Sequence, residues 1–223
     1  MRIKLTQPTR KFVRLKLCCL SVSLIVEGFP MVLQLDRNLP HSDRKRFTVS
    51  DFQTMIEAGI LEEGSPYELL DGEIIKIAAI GRKHAAKVDR ISTFLNRKMI
   101  DAIIVRVQNP IELGAFSQPE PDLAVLHWKD DFYESGHPEA SEIYLLIEVS
   151  DTTLEKDRTV KLPLYAAAGV VEVWIVNLQD NHIEVYRNPV AATYSLVQTF
   201  IAGQTVTIET LPNVSIAVNE ILG

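Results

Sequence analysis

The chain has 223 residues, 47% of them apolar and 23% charged, with 23 Lys and Arg against 29 Asp and Glu for a net charge of −6. That composition excludes a disordered or low-complexity chain and is enough for one well-buried core. The acidic balance argues against tight, non-specific binding of nucleic acid over the whole surface, while leaving room for a small basic cleft.

The charge is uneven. Residues 1–30 hold six basic residues (Arg2, Lys4, Arg10, Lys11, Arg14, Lys16) and one acid, Glu27, so 31–223 carry 17 basic against 28 acidic residues, a net −11. The apolar run 17–26 after a basic stretch has the outline of a short signal peptide and is too short to span a bilayer. Glu27-Gly-Phe-Pro stands where small residues would mark a cleavage site, and Met31 opens an ordinary globular sequence. The expectation is an N-terminal extension at 1–30 outside the fold, with translation starting at Met31, and one domain at 31–223. A targeting segment is the alternative for 1–30. The only cysteines are Cys18 and Cys19. The domain therefore has neither a disulfide framework nor a Cys-based zinc site, which fits a reducing cytoplasm and no membrane.

Ser50-Asp-Phe-Gln53 reads as a capping box opening a short helix that Gly59 closes. Tyr67-Glu-Leu-Leu, Asp71-Gly72 and Glu73-Ile-Ile-Lys-Ile read as a hairpin, because Asp-Gly tolerates the positive φ of a type I′ turn. Val88, Ile91, Phe94, Leu95 and Met99 predict an amphipathic helix over 83–99. Strands are expected at 103–107 and 111–113, broken at Asn109-Pro110. Two strongly apolar central strands are expected at 122–126 and 143–149. A helix over 157–168 ends at Gly169, and strands follow at 172–176 and 183–186. The tail offers edge strands at 194–197 and 205–208 and a short helix at 217–222. The order implies an α/β (α+β) domain, a mixed sheet with helices packed on it.

Three groups carry possible chemistry. Asp122 heads one apolar strand, Glu148 lies near the end of another, and Lys161 follows on the next helix. A carboxylate at the end of a buried strand is costly unless paired or bound to metal, and a hard cation relieves the repulsion of two. Asp157, Lys161 and Tyr165 recur every four residues and share a helical face that could present the Lys161 ammonium. The spacings also admit plainer roles. Asp122 could cap a turn after proline, Glu148 could pair with Arg158 or Lys161, and Asp157–Lys161 could be a solvated helix pair. Trp128 and Trp174 read as packing residues. Arg82, Lys83, Lys87, Arg90, Arg97 and Lys98 cluster on or just before the 83–99 helix, as contacts to a nucleic-acid backbone or as a solvated face.

Pro121-Asp-Leu-Ala-Val, Ile147-Glu-Val-Ser-Asp-Thr-Thr, Asp157-Arg-Thr-Val-Lys-Leu and Tyr165-Ala-Ala-Ala-Gly-Val-Val-Glu-Val-Trp-Ile-Val stand in that order. Together with Tyr67-Glu-Leu-Leu-Asp-Gly-Glu-Ile, His84 near a helix start and Val107-Gln-Asn-Pro-Ile-Glu-Leu, they resemble the Uma-two family of restriction endonucleases over about residues 45–190. The resemblance implies a PD-(D/E)xK fold, a mixed β-sheet flanked by helices, and Mg²⁺- or Mn²⁺-dependent hydrolysis of DNA phosphodiesters. Asp122, Glu148 and Lys161 would be catalytic, with Asp122, Glu148 and the Val149 carbonyl as metal ligands. Glu68, Ser150, His84, Gln108, Asp157 and Tyr165 are possible accessory residues. Glu68 could instead be a solvated strand residue, and His84 a cap or surface residue. The general pattern expects a lysine two residues after the acid; Ser150 stands there, and Lys161 is its candidate replacement. A homodimer would bring two sites to two strands. The alternative is a non-catalytic nuclease-fold module that binds nucleic acid or protein.

Overall fold

The computed structural model describes residues 44–223 other than 63, 65, 100 and 101, together with three short strands nearer the N-terminus. Those strands, β1 (Val13–Leu17), β2 (Leu20–Leu24) and β3 (Gln34–Leu35), pair antiparallel in that order within a unit spanning Met1–Lys45. The expected extension and the start at Met31 fall mainly outside the described residues. Arg46–Gly223 form the second unit.

Helix α1 (Val49–Glu57) begins differently from the sequence expectation. Thr48, not Ser50, is the N-cap, its hydroxyl accepting from the Asp51 amide while the Asp51 carboxylate accepts from the Thr48 amide. Ser50 lies inside the first turn, where its carbonyl accepts from the Thr54 hydroxyl. Gly59 does follow the C-terminus with φ +69°. Strands β4 (Tyr67–Leu70) and β5 (Glu73–Lys76) form the expected hairpin, with Asp71 at φ 48° and Gly72 at φ 81°. Gly72 has a second duty. A Cβ there would stand 2.6 Å from the Arg46 Cβ.

The main sheet has six strands in the order β11-β10-β9-β8-β7-β6. They are β6 (Ile103–Val107), β7 (Leu123–His127), β8 (Ile143–Ser150), β9 (Glu172–Asn177), β10 (His182–Val190) and β11 (Thr193–Phe200). Within this sheet the β8–β9 pair alone is parallel. The connection between them is a helical run over 154–167, here α3, which crosses one face of the sheet as a parallel pairing requires. The opposite face is covered by α2 (Arg82–Lys98), through Val88, Ile91 and Leu95.

Alternation along β8 divides its side chains between these faces. Leu145, Ile147 and Val149 pack with α2, whereas Leu146, Glu148 and Ser150 face α3. Ile143 breaks the parity by joining Leu146, because the β7–β8 register shifts between Val125 and Leu126. Trp174, fully buried, packs on the α2 side, as expected of it. Its indole N–H donates to Glu172 Oε1 at 2.7 Å, and the Arg187 guanidinium satisfies the same buried carboxylate.

Three segments depart from expectation. Residues 111–113 form no strand. Their backbone donors are taken within the neighbouring loops, Ile111 N by Pro119 O and Leu113 N by Ser117 O, leaving one isolated bridge, Glu112 to Glu139. Thr205–Ile208 is not an edge of the main sheet but pairs as β12 with β13 (Leu211–Ala217). Pro212 and Asn213 disguise the second strand in the sequence. Trp128 is 46% exposed and stacks edge-on against Phe132, so it is not a packing residue of the core. The chain closes with α4 (Val218–Leu222), whose Val218 and Ile221 join the α2 face. Among the described residues no helix is long and apolar enough to cross a membrane.

Gly72→Ala should lower the unfolding free energy by about 1–3 kcal/mol, since it adds a left-handed penalty to a steric overlap. Urea unfolding of the two proteins measures it; equal midpoints would show that the turn relaxes freely.

Candidate active site

The β7–β8 register, Leu123 opposite Ile147, sets Asp122 opposite Glu148 when continued by one residue. The two carboxylates thus come from adjacent strand ends by hydrogen-bond geometry alone. The Val149 amide donates to Asp122 Oδ2 at 2.8 Å, tying the head of β7 to β8. His84, in the first turn of α2, shares that oxygen at 2.9 Å; because a carboxylate only accepts, Nε2 carries the hydrogen. Gln108 donates from Nε2 to Asp122 Oδ1 at 3.3 Å. Its φ of 49° is unusual for glutamine, and its own amide is held by the Asp122 carbonyl at 3.1 Å.

Glu148 is almost completely buried. Tyr165 donates its phenol to Oε1 at 2.5 Å, and Lys161 donates to the same oxygen at 3.1 Å. Burial pushes the Glu148 carboxyl up to about 8, with Asp157 and Asp122 adding to the rise and Lys161 and Tyr165 opposing it. Burial works against the Lys161 ammonium too, but Glu148, Glu68, Asp157 and Asp122 outweigh it and keep the lysine protonated above its ordinary range. The Tyr165 phenol is raised well above its usual value by burial and by Glu148, so it keeps its proton.

The helix that supplies these groups is not regular. Leu154–Lys156 and Leu162–Ala167 are α-helical, while Asp157–Lys161 form a π-helical turn between them. Such a turn inserts a residue and re-aims the side chains around it. Asp157 is anchored by the Ser150 hydroxyl at 2.7 Å. Arg158 is clamped by both oxygens of Glu184, which also accepts from Tyr186 at 2.6 Å, His182 at 3.0 Å and Asn177 at 3.3 Å. Burial opposes the charge on Glu184, yet these donors hold its carboxyl down at about 2. The π turn is thus fixed on both sides, and Lys161 leaves it toward Glu148.

All nine side chains singled out in the sequence come together around one cleft of about 1040 Å³, although Ser150 and Tyr165 stand behind its lining. Glu68 is 1% exposed, so it is not a solvated strand residue. Lys156 pairs with it at 2.6 Å, Lys161 approaches at 3.5 Å, and the Glu120 amide donates to it at 3.3 Å. His84 is neither a cap nor a surface residue, since it holds Asp122 from inside the cleft. The plainer Asp157–Lys161 helix pair is replaced by separate buried partners; of the two plainer pairings for Glu148, the one with Lys161 is present and the one with Arg158 is not, since Arg158 pairs with Glu184.

Lys156 and Glu120 escape a reading of the sequence. Lys156 precedes the predicted start of its helix, and the one signal for Glu120 is its place between two prolines, just ahead of Asp122. The Glu120 carbonyl accepts from Lys161 at 3.2 Å, and burial together with Glu68 raises its own carboxyl.

A crystal structure described as a putative nuclease from Anabaena variabilis ATCC 29413 superposes with a TM-score of 0.61 at 16% identity, covering 79% of this chain and 97% of that one. The shared fold is a restriction-endonuclease-like mixed sheet flanked by helices. A search of curated proteins finds no match. The family model described as "Putative restriction endonuclease" matches residues 49–219. The chain belongs to that family, Uma2.

Proposed function

We propose that this protein is a metal-dependent endonuclease that hydrolyses phosphodiester bonds of DNA, with Asp122, Glu148 and Lys161 as its catalytic residues. The observation that carries the reading is the single constellation of Asp122 and Glu148 on facing strand ends with the Lys161 ammonium 3.1 Å from Glu148.

The donor set suits a hard cation. Asp122, Glu148 and the Val149 carbonyl offer oxygen alone, and Mg²⁺ or Mn²⁺ accepts one or two carboxylates with water completing the shell. Positive charge beside the two carboxylates would offset the burial that raises the Glu148 carboxyl. A bound cation supplies positive charge at the phosphoryl oxygens and acidifies water.

The protein's own residues do the rest. His84, Gln108 and the Val149 amide fix the orientation of Asp122, and Tyr165 fixes Glu148. Lys161 remains protonated and so serves as a donor, not a base: it orients the attacking water or stabilises charge developing on the phosphoryl group. Lys156 neutralises Glu68 at the cleft wall. Lys76, Arg82 and Lys83 line the cleft and are exposed, giving the basic strip that a phosphate backbone needs beside the carboxylates.

The second reading, a non-catalytic module on the same fold, draws on Ser150. It occupies the position where the superfamily pattern has lysine, and its hydroxyl is committed to Asp157.

Supercoiled plasmid with Mg²⁺ or Mn²⁺ separates the two. Cleavage by the parent protein should fall by about 10²–10³-fold or more in each of Asp122→Ala, Glu148→Ala and Lys161→Ala, the scale of losing one transition-state donor. Survival of activity in Lys161→Ala would remove the lysine from the mechanism. An inactive parent on varied DNA and RNA would favour the non-catalytic module.

Metal binding should depend on pH through Glu148. Below about 8 its carboxyl is protonated, and a cation must displace that proton. Apparent Mn²⁺ affinity should therefore tighten as pH rises from about 6.5 to about 8.5, by up to about tenfold per unit below the carboxyl's pKa. Calorimetric titrations at both values, with Glu148→Gln as the control expected to lose the dependence, check this. A flat response in the parent would count against Glu148 as a ligand.

We also propose that the enzyme acts as a homodimer, two sites for two strands. Sedimentation equilibrium at micromolar concentration should show the dimer mass; monomer alone would refute it.

A further inference from the structure

Helix α2 holds a second organised feature beside His84. Its inner face packs on the core through Val88, Ile91 and Leu95, yet its outer face is strongly basic. Lys83, Arg90 and Arg97 recur at intervals of seven residues, two full turns, and so lie nearly in line along the helix axis. All three are exposed, and among the described residues none has an ion-pair partner. Arg90 and Arg97 flank a shallow groove lined also by Thr93 and Phe94. The acids lining the groove are Asp89 and Glu220, the latter accepting from the Ala217 amide through one oxygen, and the Arg90 guanidinium lies against Gly223. In a chain whose net charge is −6, this concentration of cations runs against the overall balance.

The line also has a direction. Lys83 lines the catalytic cleft, while Arg97 lies in the last turn of the helix. Fourteen residues separate them, about 21 Å of helix, which matches the rise of about six base pairs of duplex. A rigid rod with cations spaced every ~10 Å suits a regular polyanion, whose charges repeat along its axis. We infer that the outer face of α2 is a track for the sugar–phosphate backbone of duplex DNA flanking the cleavage point, with Lys83, Arg90 and Arg97 as its contacts. The inference rests on the nuclease reading for the identity of the polymer. It adds where the substrate lies outside the cleft, and it assigns affinity rather than chemistry to these residues.

The test is binding of a fluorescein-labelled duplex of about 30 base pairs by anisotropy over a range of KCl concentrations, with Ca²⁺ replacing Mg²⁺. The full chain is compared with the Arg90→Gln/Arg97→Gln double variant; both sites are exposed, and a thermal melt checks that the variant folds. The expected result is at least about tenfold weaker binding at low salt. The slope of log affinity against log salt should shrink by about two, one for each phosphate that the variant no longer neutralises. In plasmid cleavage the effect should fall on KM. Unchanged affinity and slope would overturn the track while leaving the nuclease reading intact. Tight, arginine-dependent binding without any cleavage would do the reverse. Stronger arginine-dependent binding to a structured RNA of equal length would overturn the assignment to DNA, and a parent that binds no nucleic acid would overturn both.

Discussion

The cost of burying the Glu148 carboxylate organises the site. Burial on an inner strand of a six-stranded sheet pushes that carboxyl up to about 8, and its ionised form depends on the partners that the protein provides at one oxygen, Lys161 and Tyr165. Neither partner comes from the sheet. Both come from α3, so the helix must lie at one height and one rotation over β8. The Ser150–Asp157 hydrogen bond and the Arg158–Glu184 clamp set that position, one to β8 and one to β10. The π-helical turn is where the two constraints are reconciled.

The buried lysine obeys the same rule. A cation inside a fold is as costly as an anion, and Lys161 is stabilised by several carboxylates rather than one. Glu68 reaches it from the β4–β5 hairpin, a small sheet outside the main one, linked through the bridge between Leu69 and Gln118. The hairpin's tight Asp71-Gly72 turn is therefore more than a connection. It holds a wall of the cleft, and its packing against Arg46 leaves no room for a Cβ.

Charge is distributed over the surface in the same sense. Glu68, Glu148 and Asp157 are buried at the cleft with Lys156, Lys161 and Ser150 as partners, while Lys76, Arg82 and Lys83 stand exposed at its lining and Arg90 and Arg97 continue along α2. A net negative chain can in this way present a locally positive approach to a polyanion, because screened fields act over about a Debye length and not over the whole molecule.

Much of this was legible in the sequence because it depends on local period and turn chemistry. The 83–99 helix, the Asp-Gly hairpin, the apolar strands bearing Asp122 and Glu148, and the shared face of Asp157, Lys161 and Tyr165 follow from spacing that any fold must respect. Other features did not follow. Residues 111–113 have strand-like composition but give their hydrogen bonds to adjoining loops, and Trp128 is apolar yet exposed. The burial of Glu68, the bond from His84 to Asp122 and the roles of Lys156 and Glu120 depend on which strands become neighbours. That is fixed by long-range pairing and by packing across the sheet, whose partners lie tens of residues apart. Sequence thus determined on which elements the candidate groups sit. Only the tertiary structure decided which charges share a cleft, since a charge's partner is chosen by distance in space and by the penalty of leaving it unpaired.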